Sequence, residues 1–277
     1  MSVITRALIP AAGHGTRLSP LSRAIPKEML PLGRKPVLEY IVEELAACGI
    51  RDILLVVSSG KESIETYFED GARFGLRISY VVQREMRGLG DAVLHGEQWS
   101  DGRSFLAAFG DCIIESSDHA ATKRLLQTHS VEGAFASVLT EKVSVDLVSR
   151  YGIVAPISAP EAESDTPFSF GRIVEKPSAG DAPSRFAVAA RWALDSGIFA
   201  DIRETPPGRG GEVGLSQAVD RALLSGKTGW AVPLFPGERR VDVGSWDSYL
   251  GAAANAIVRD EELGPGILDS LCRNRPC

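Results

Sequence analysis

The sequence predicts an α/β fold built on one doubly wound, mixed but mostly parallel sheet. Three observations carry this. Short β-branched runs alternate with helix-period segments through roughly the first 110 residues, which is how βαβ crossovers are written. The first of those runs empties directly into a glycine-rich turn. The chain has 277 residues, 44% hydrophobic and 24% charged, enough for a large packed core without staples.

The elements follow in order. Residues 3–9 (VITRALI) form a buried strand bounded by Pro10, Gly13 and Gly15. Val37, Leu38, Ile41, Val42 and Leu45 recur at helical spacing, and Gly49 stops that helix. IRDILLVVSS (50–59) is a strand by its β-branched content, SIETYFEDG (63–71) a short helix, and LRISYVVQ (76–83) a strand. Residues 90–99 suit a helix, and SFLAAFGD (104–111) a strand ending on an acid. The second half is less regular, with strands expected at 134–140, 151–155 and 171–178 and a polar loop at 156–169. Helices are expected at 194–204, 214–225 and 245–260, with strand signals broken by Pro233 and Pro236 between 229 and 243. The expected organisation is one domain over 1–260, with 261–277 a frayed tail.

Charge and cysteine usage exclude several classes. Thirty Lys+Arg against 36 Asp+Glu give a net charge of −6, which lacks the basic footprint of a general nucleic-acid binder. Cysteines 48, 112, 272 and 277 have no metal spacing and are too few for a disulfide framework. None of the four histidines has metal-ligand spacing. No run approaches the roughly 18 apolar residues of a membrane span, and the opening segment has no signal-peptide core. A reduced, cytoplasmic protein without membrane or nucleic-acid partners is the expectation.

Ala11-Ala12-Gly13-His14-Gly15-Thr16-Arg17 carries the first chemical signal. Small residues let the backbone approach a phosphate, and successive N–H groups in a tight turn cradle an anion. Arg17 adds a planar donor fork, and Lys27 stands ten residues on in the stiff segment Pro26–Pro31. Two cations and a backbone cradle suit a triphosphate. The same glycines also suit a plain tight connection, and the two cations a solvated surface. The turn is neither a Walker A loop nor G-x-G-x-x-G, since Leu18 stands where a third glycine is needed.

G-x-G-T-R followed by P-K-E-M-L-P resembles the sugar-1-phosphate nucleotidylyltransferases. The stretch IPAAGHGTRLSPLSRAIPKEMLPLGRKPVLEY looks most like the bacterial UTP–glucose-1-phosphate uridylyltransferases. The likeness continues in order through GLGDAV (88–93), FGD (109–111), YGIV (151–154), VEKP (174–177), TPPGRGGEVGLSQAVD (205–220) and DVG (242–244). It implies a Rossmann-like fold of the nucleotide-diphospho-sugar transferase type, with a nucleotide-binding half over about 1–115 and a sugar-binding half over about 130–245. It also implies transfer of a nucleotidyl group, UTP favoured, to a sugar 1-phosphate, glucose 1-phosphate favoured, with pyrophosphate released. By analogy it implies a homo-oligomer, dimer or tetramer.

By the same resemblance, Ala11, Ala12, Gly13, Gly15 and Thr16 hold the nucleotide, and Gln83 with Gly88 reads a pyrimidine edge. The Gln83 amide offers donor and acceptor together, as a uracil edge requires. Arg17, Lys27, Asp111 and Lys176 are the implied catalytic residues, and Asp111 with Asp242 the implied Mg²⁺ ligands. Magnesium is a hard ion usually held by one or two carboxylates plus phosphate oxygens. Gly152, Glu175, Lys176 and Glu212 are the implied sugar-phosphate contacts. Glu212 reads equally well as an acid at a helix start, while Trp192 and Trp246 read as packing, with a place in the sugar-pocket wall as the alternative for either.

The match departs in three places. The segment before Gln83 is shorter than in the uridylyl enzymes, DVGSWDSY is closer to the thymidylyl enzymes, and Ala189-Ala190-Arg191 lacks a glycine often found there. Another nucleotide (TTP, CTP or GTP) with another sugar phosphate is therefore the alternative, and a non-catalytic nucleotide-sugar-binding relative a remoter one.

Overall fold

The computed structural model describes residues 3–158 and 165–273. Its first half runs β1 (Arg6–Pro10), β2 (Pro31–Leu32), β3 (Lys35–Pro36), α1 (Val37–Ala47), β4 (Asp52–Val57) and α2 (Glu62–Phe68). There follow β5 (Arg77–Val82), α3 (Leu89–Leu94), α4 (Glu97–Ser100), β6 (Phe105–Ala108), β7 (Cys112–Glu115) and α5 (Ala120–Glu132). The second half runs β8 (Ala136–Lys142), β9 (Gly152–Pro156), β10 (Phe168–Glu175), β11 (Phe186–Leu194), α6 (Ile198–Glu204) and α7 (Leu215–Leu224). It ends with β12 (Gly229–Pro233), β13 (Arg239–Asp242), α8 (Trp246–Val258) and α9 (Gly264–Arg273).

Nine strands form one sheet in the order β5-β4-β1-β6-β11-β8-β12-β10-β9. The first four run parallel, as the βαβ reading requires. β11 is antiparallel to both β6 and β8, and of the later pairs only β8 with β12 is parallel. The sheet is mixed as expected, with its parallel character concentrated in the first half. Alternating residues of the central strands split the core. Ile9, Ile53 and Leu55 pack with Leu38, Ile41 and Leu45 of α1, whereas Leu8, Leu54 and Val56 pack with Val93 of α3, Phe199 of α6 and Val219 of α7. This period of two places helices on both faces.

Several expectations change. The helix at 90–99 is two pieces, because Gly96 lies so close to β1 that a Cβ there would meet Leu8 Cδ1. The strand signal at 229–243 divides between the large sheet and a separate ribbon in which β13 pairs with β7. The tail expected to fray is helical from Gly264 to Arg273. Residues 168 and 169 of the expected loop belong to β10, while residues 159–164 of it, and Cys277, lie outside the described residues.

β11 was not signalled by the sequence, yet it is the strand that joins the two halves. It carries Arg191, whose side chain is fully buried and donates to both oxygens of Glu44 on α1, at 3.0 and 2.7 Å. Thr122 of α5 donates to the same carboxylate. Arg191 also donates to the carbonyl of Cys112, and the backbone N–H of Phe109 donates to the carbonyl of Ala190. The bulge at residues 188–192 thus buttresses the segment 109–112. Ala190 itself holds φ +57°, the position where glycine would be free of a cost of about 1–2 kcal/mol. Trp192 is fully buried, which settles it as packing.

Removing one partner of a buried, bidentate pair strands the other charge in the core. Arg191→Met should therefore cost about 3–5 kcal/mol in urea unfolding. Arg191→Met combined with Glu44→Leu should recover most of that loss, and no recovery in the double variant would contradict this account of the pair.

Candidate active site

The C-terminal ends of β1, β4, β5 and β6 point to one side of the sheet, the usual ligand edge of an open α/β fold. A cavity of about 410 Å³ opens there. Its lining includes Ala12, Gly13, Gly15, Thr16, Lys27, Gln83, Gly88, Asp111 and Glu212, all singled out from sequence. Pro10, His14, Glu28, Met86, Leu89, Ala92 and Phe109 complete the wall and were given no role there.

The glycine turn follows β1. Gly15 takes φ +61°, a left-handed conformation that glycine adopts freely, and it starts a 3-10 turn over Thr16–Leu18. Lys27 stands over the turn, its Nζ 3.6 Å from where a Gly13 Cβ would lie, and makes a 2.5 Å ion pair with Asp111. Burial pushes the Asp111 carboxyl up, but Lys27 outweighs it and holds the group below the usual carboxylate range. Burial likewise pulls Lys27 down, and Asp111 and Glu28 outweigh it and hold its ammonium above the usual lysine range.

Strand pairing brings the backbones of Asp111 and Asp242 side by side. Cys112 is the register partner of Asp242 in the β7/β13 ribbon, and the N–H of Val243 donates to the Asp111 carbonyl at 3.0 Å. Asp242 Oδ1 accepts from the Gly244 N–H at 2.6 Å. A Cβ on Gly244 would lie 2.8 Å from that oxygen and 2.9 Å from Arg17 Nη2, so Arg17 and Asp242 converge over bare backbone. Among the described residues no third His, Cys, Asp or Glu joins a metal-sized cluster. Two carboxylates with the remaining positions left to phosphate oxygens and water are a donor set that suits Mg²⁺.

Gln83 lies just past β5, buried, with its Nε2 donating to Asp91 Oδ2 at 2.7 Å and to the Gly88 carbonyl at 3.3 Å. Gly88 holds φ +96°, and a Cβ there would meet the Val213 carbonyl at 2.7 Å and the Glu212 Cβ at 2.9 Å. Glu212 and Val213 thus lie directly on the Gly88 backbone. The N–H of Val213 donates to Arg87, and its carbonyl accepts from Gly90.

Three of the four expected sugar-phosphate residues, Gly152, Glu175 and Lys176, form a second cluster outside the wall of this cavity, whereas Glu212 lines it. Gly152 and Glu175 are register partners of β9 and β10, and a Cβ on Gly152 would come within 2.9 Å of Glu175 Oε2 and 3.4 Å of Ser216 Oγ. Lys176 Nζ stands 3.7 Å from Glu175 Oε1. Lys176 also holds φ +49° and donates its N–H to the Tyr151 carbonyl. A non-glycine residue held left-handed costs of order 1–3 kcal/mol, and such outliers gather at binding sites. The segment 212–216 touches Gly88 at one end and Gly152 at the other, which links the clusters. Ala11 lies behind the cavity, fully buried, with its N–H donating to the Val56 carbonyl of β4 at 2.8 Å.

Residues 6–258 match the nucleotidyl transferase family. The chain belongs to that family. A Mycoplasma pneumoniae member named UTP–glucose-1-phosphate uridylyltransferase is 33% identical over 291 residues, spanning 95% of this chain and 98% of its own. A UDP-glucose pyrophosphorylase structure from Acinetobacter baumannii superposes with a TM-score of 0.87 at 28% identity, covering 98% of this chain and all of that one. A UDP-glucose pyrophosphorylase solved with UDP-glucose gives a TM-score of 0.82 at 32% identity over 91% of this chain and 98% of that one. The nucleotidyl transferase fold expected from the sequence motifs is therefore the fold of this chain.

A larger cleft of about 1160 Å³ runs along β13 and α8, and Asp242 stands in its wall rather than in that of the smaller cavity. Size does not make it the reacting site, because its Arg34, Arg239 and Arg259 are already committed to Asp260, Glu262 and Glu115. Two outcomes follow for the smaller cavity. Gly88→Ala should displace residues 212–213 and raise the KM for nucleotide about tenfold or more, while an unchanged KM would contradict the contact. The Lys27–Asp111 pair is intact above the unfolded Asp pKa and below the unfolded Lys pKa. Its stability contribution should be lost as pH falls through the depressed Asp111 value or rises through the elevated Lys27 value. Unfolding of wild type and Asp111→Asn across pH 5–9 should differ by a constant amount.

Proposed function

We propose that this nucleotidyl transferase joins UTP and glucose 1-phosphate to give UDP-glucose and pyrophosphate, with Mg²⁺ held by Asp111 and Asp242. The observation that carries the reading is the cavity in which the glycine turn, Lys27, Asp111, Gln83 and Gly88 converge. Near-full-length similarity to proteins bearing the uridylyltransferase name supports the choice of substrates. Complexes of such enzymes with UDP-glucose and with UTP support it further.

A phosphate oxygen of the sugar phosphate attacks the α-phosphorus of UTP in line. A new P–O bond forms as the bond to the β-phosphate breaks, and the electron pair leaves on pyrophosphate. The nucleophile is already an anion, so no general base is needed. What the protein supplies is approach, alignment and neutralisation of charge. The turn at 11–16 presents backbone N–H groups to the phosphates, with Arg17 and Lys27 as cations above it. Gln83 and the backbone at Gly88 take the base, in the role read for them from sequence. Lys176 holds the sugar phosphate and Glu175 the sugar hydroxyls, against the bare backbone of Gly152, and Glu212 joins the two regions. Bound Mg²⁺ would supply Lewis-acid charge at the phosphate oxygens.

Pyrophosphate release with UTP, glucose 1-phosphate and Mg²⁺ tests the reading, and a panel of nucleotides and sugar phosphates tests the substrates. UTP with glucose 1-phosphate should give the highest kcat/KM; a higher value for any other pair would overturn the substrate choice. Asp111→Asn should lower kcat by about 10²–10³ with the fold retained. Lys176→Ala should raise the KM for sugar phosphate at least about tenfold more than that for nucleotide. Near-normal turnover in the first variant, or equal KM changes in the second, would contradict those roles.

A further inference from the structure

The most completely engaged buried cation beside the cavity is not one of the residues assigned to the reaction. Lys61 lies just after β4, at the start of α2, with its side chain 7% exposed. Its Nζ donates to the Ala11 carbonyl at 2.5 Å, the Gly13 carbonyl at 2.8 Å and Glu28 Oε2 at 2.8 Å. An ammonium has three donors, and here all three are used. Glu28 is buried in turn, on the 3-10 turn that carries Lys27. One side chain therefore fastens the glycine turn to the lysine segment, across 33 to 50 positions of sequence.

The geometry points to Lys61 as the positioning residue for the phosphate turn. By drawing the carbonyls of Ala11 and Gly13 behind the turn, it keeps them from facing an incoming polyanion, which they would repel. The Ala11 N–H is taken by the Val56 carbonyl, and the N–H groups from Ala12 onward are then the ones left to face the cavity. Through Glu28 it also fixes the segment from which Lys27 reaches Asp111. Burial pushes the Lys61 ammonium down and the Glu28 carboxyl up, and each partner opposes the shift of the other. The pair is thus costly to bury alone and stable only as a unit. Lys61 acts through the turn, without touching the reacting atoms.

The inference rests on the nucleotidyl-transfer reading, so its test carries a readout that needs no substrate. Amide hydrogen exchange of Ala11 and Leu18, whose N–H groups donate to the Val56 and Gly15 carbonyls, should quicken about tenfold or more in the ligand-free Lys61→Met protein, with α1 and β5 unchanged. The KM for UTP should rise about tenfold or more, while the KM for glucose 1-phosphate stays within about twofold. Because Lys61→Met strands the Glu28 charge, Lys61→Met/Glu28→Gln supplies the second variant. It should regain stability while keeping the fast exchange and the high nucleotide KM. Glu28→Gln alone, which leaves both carbonyl bonds in place, should show slow exchange at Ala11 and Leu18. Unchanged exchange in both Lys61 variants, or equal rises in the two KM values, would overturn the assignment. If the wild-type protein releases no pyrophosphate but the exchange result holds, the reaction is at fault and the positioning role stands.

Discussion

Everything at the site depends on four register pairs between β7 and β13. Asp111 and Asp242 are 131 positions apart, and neither belongs to the nine-stranded sheet. The short antiparallel ribbon sets Cys112 opposite Asp242 and lets Val243 donate to Asp111. Two carboxylates that are to share one ion need cations nearby to offset their repulsion. Lys27 and Arg17 are those cations, one arriving from each side. Removing the ribbon would leave two unrelated acids at two loop ends.

The charge pattern beneath the site is organised in layers. Deepest is Arg191 with Glu44, which touches no cavity yet holds the Cys112 carbonyl and so the base of the ribbon. Above it stand Lys61 with Glu28 and Lys27 with Asp111, each pair joining segments distant in sequence. Buried pairs of this kind contribute little net stability, because desolvation offsets most of their attraction. What they fix is geometry. A polyphosphate needs donors already in place, and pre-paired side chains cannot collapse into the empty cavity between turnovers.

The first half of the fold was legible because parallel central strands and their crossover helices write long, regular hydrophobic patterns. β11 was not, because its middle reads Ala-Ala-Arg, and a fully buried arginine makes sense only once Glu44, 147 positions away, is known to meet it. The helix α5 was also missed, since its buried residues include Thr122, Thr128 and His129 as well as Leu125, which blurs any apolar stripe. The candidate site was legible through short motifs rather than periodicity. Asp111, Lys27, Gln83 and Glu212 line one cavity, whereas Lys176 and Glu175 lie in the neighbouring cluster. Lys61 left a weaker trace, a Gly-Lys pair just past a strand, and nothing local said that it faced two carbonyls of the turn.

The claim that two distant acids share one cation has a direct measurement. Mn²⁺ can replace Mg²⁺ in a spin-resonance titration with UTP present, using the wild type, Asp111→Asn, Asp242→Asn and the double variant. One shared site requires each single change to weaken Mn²⁺ binding, and the double change to weaken it by clearly less than the product of the two. Strictly multiplicative losses, or a single variant that binds Mn²⁺ like the wild type, would mean that the ribbon does not build a common site.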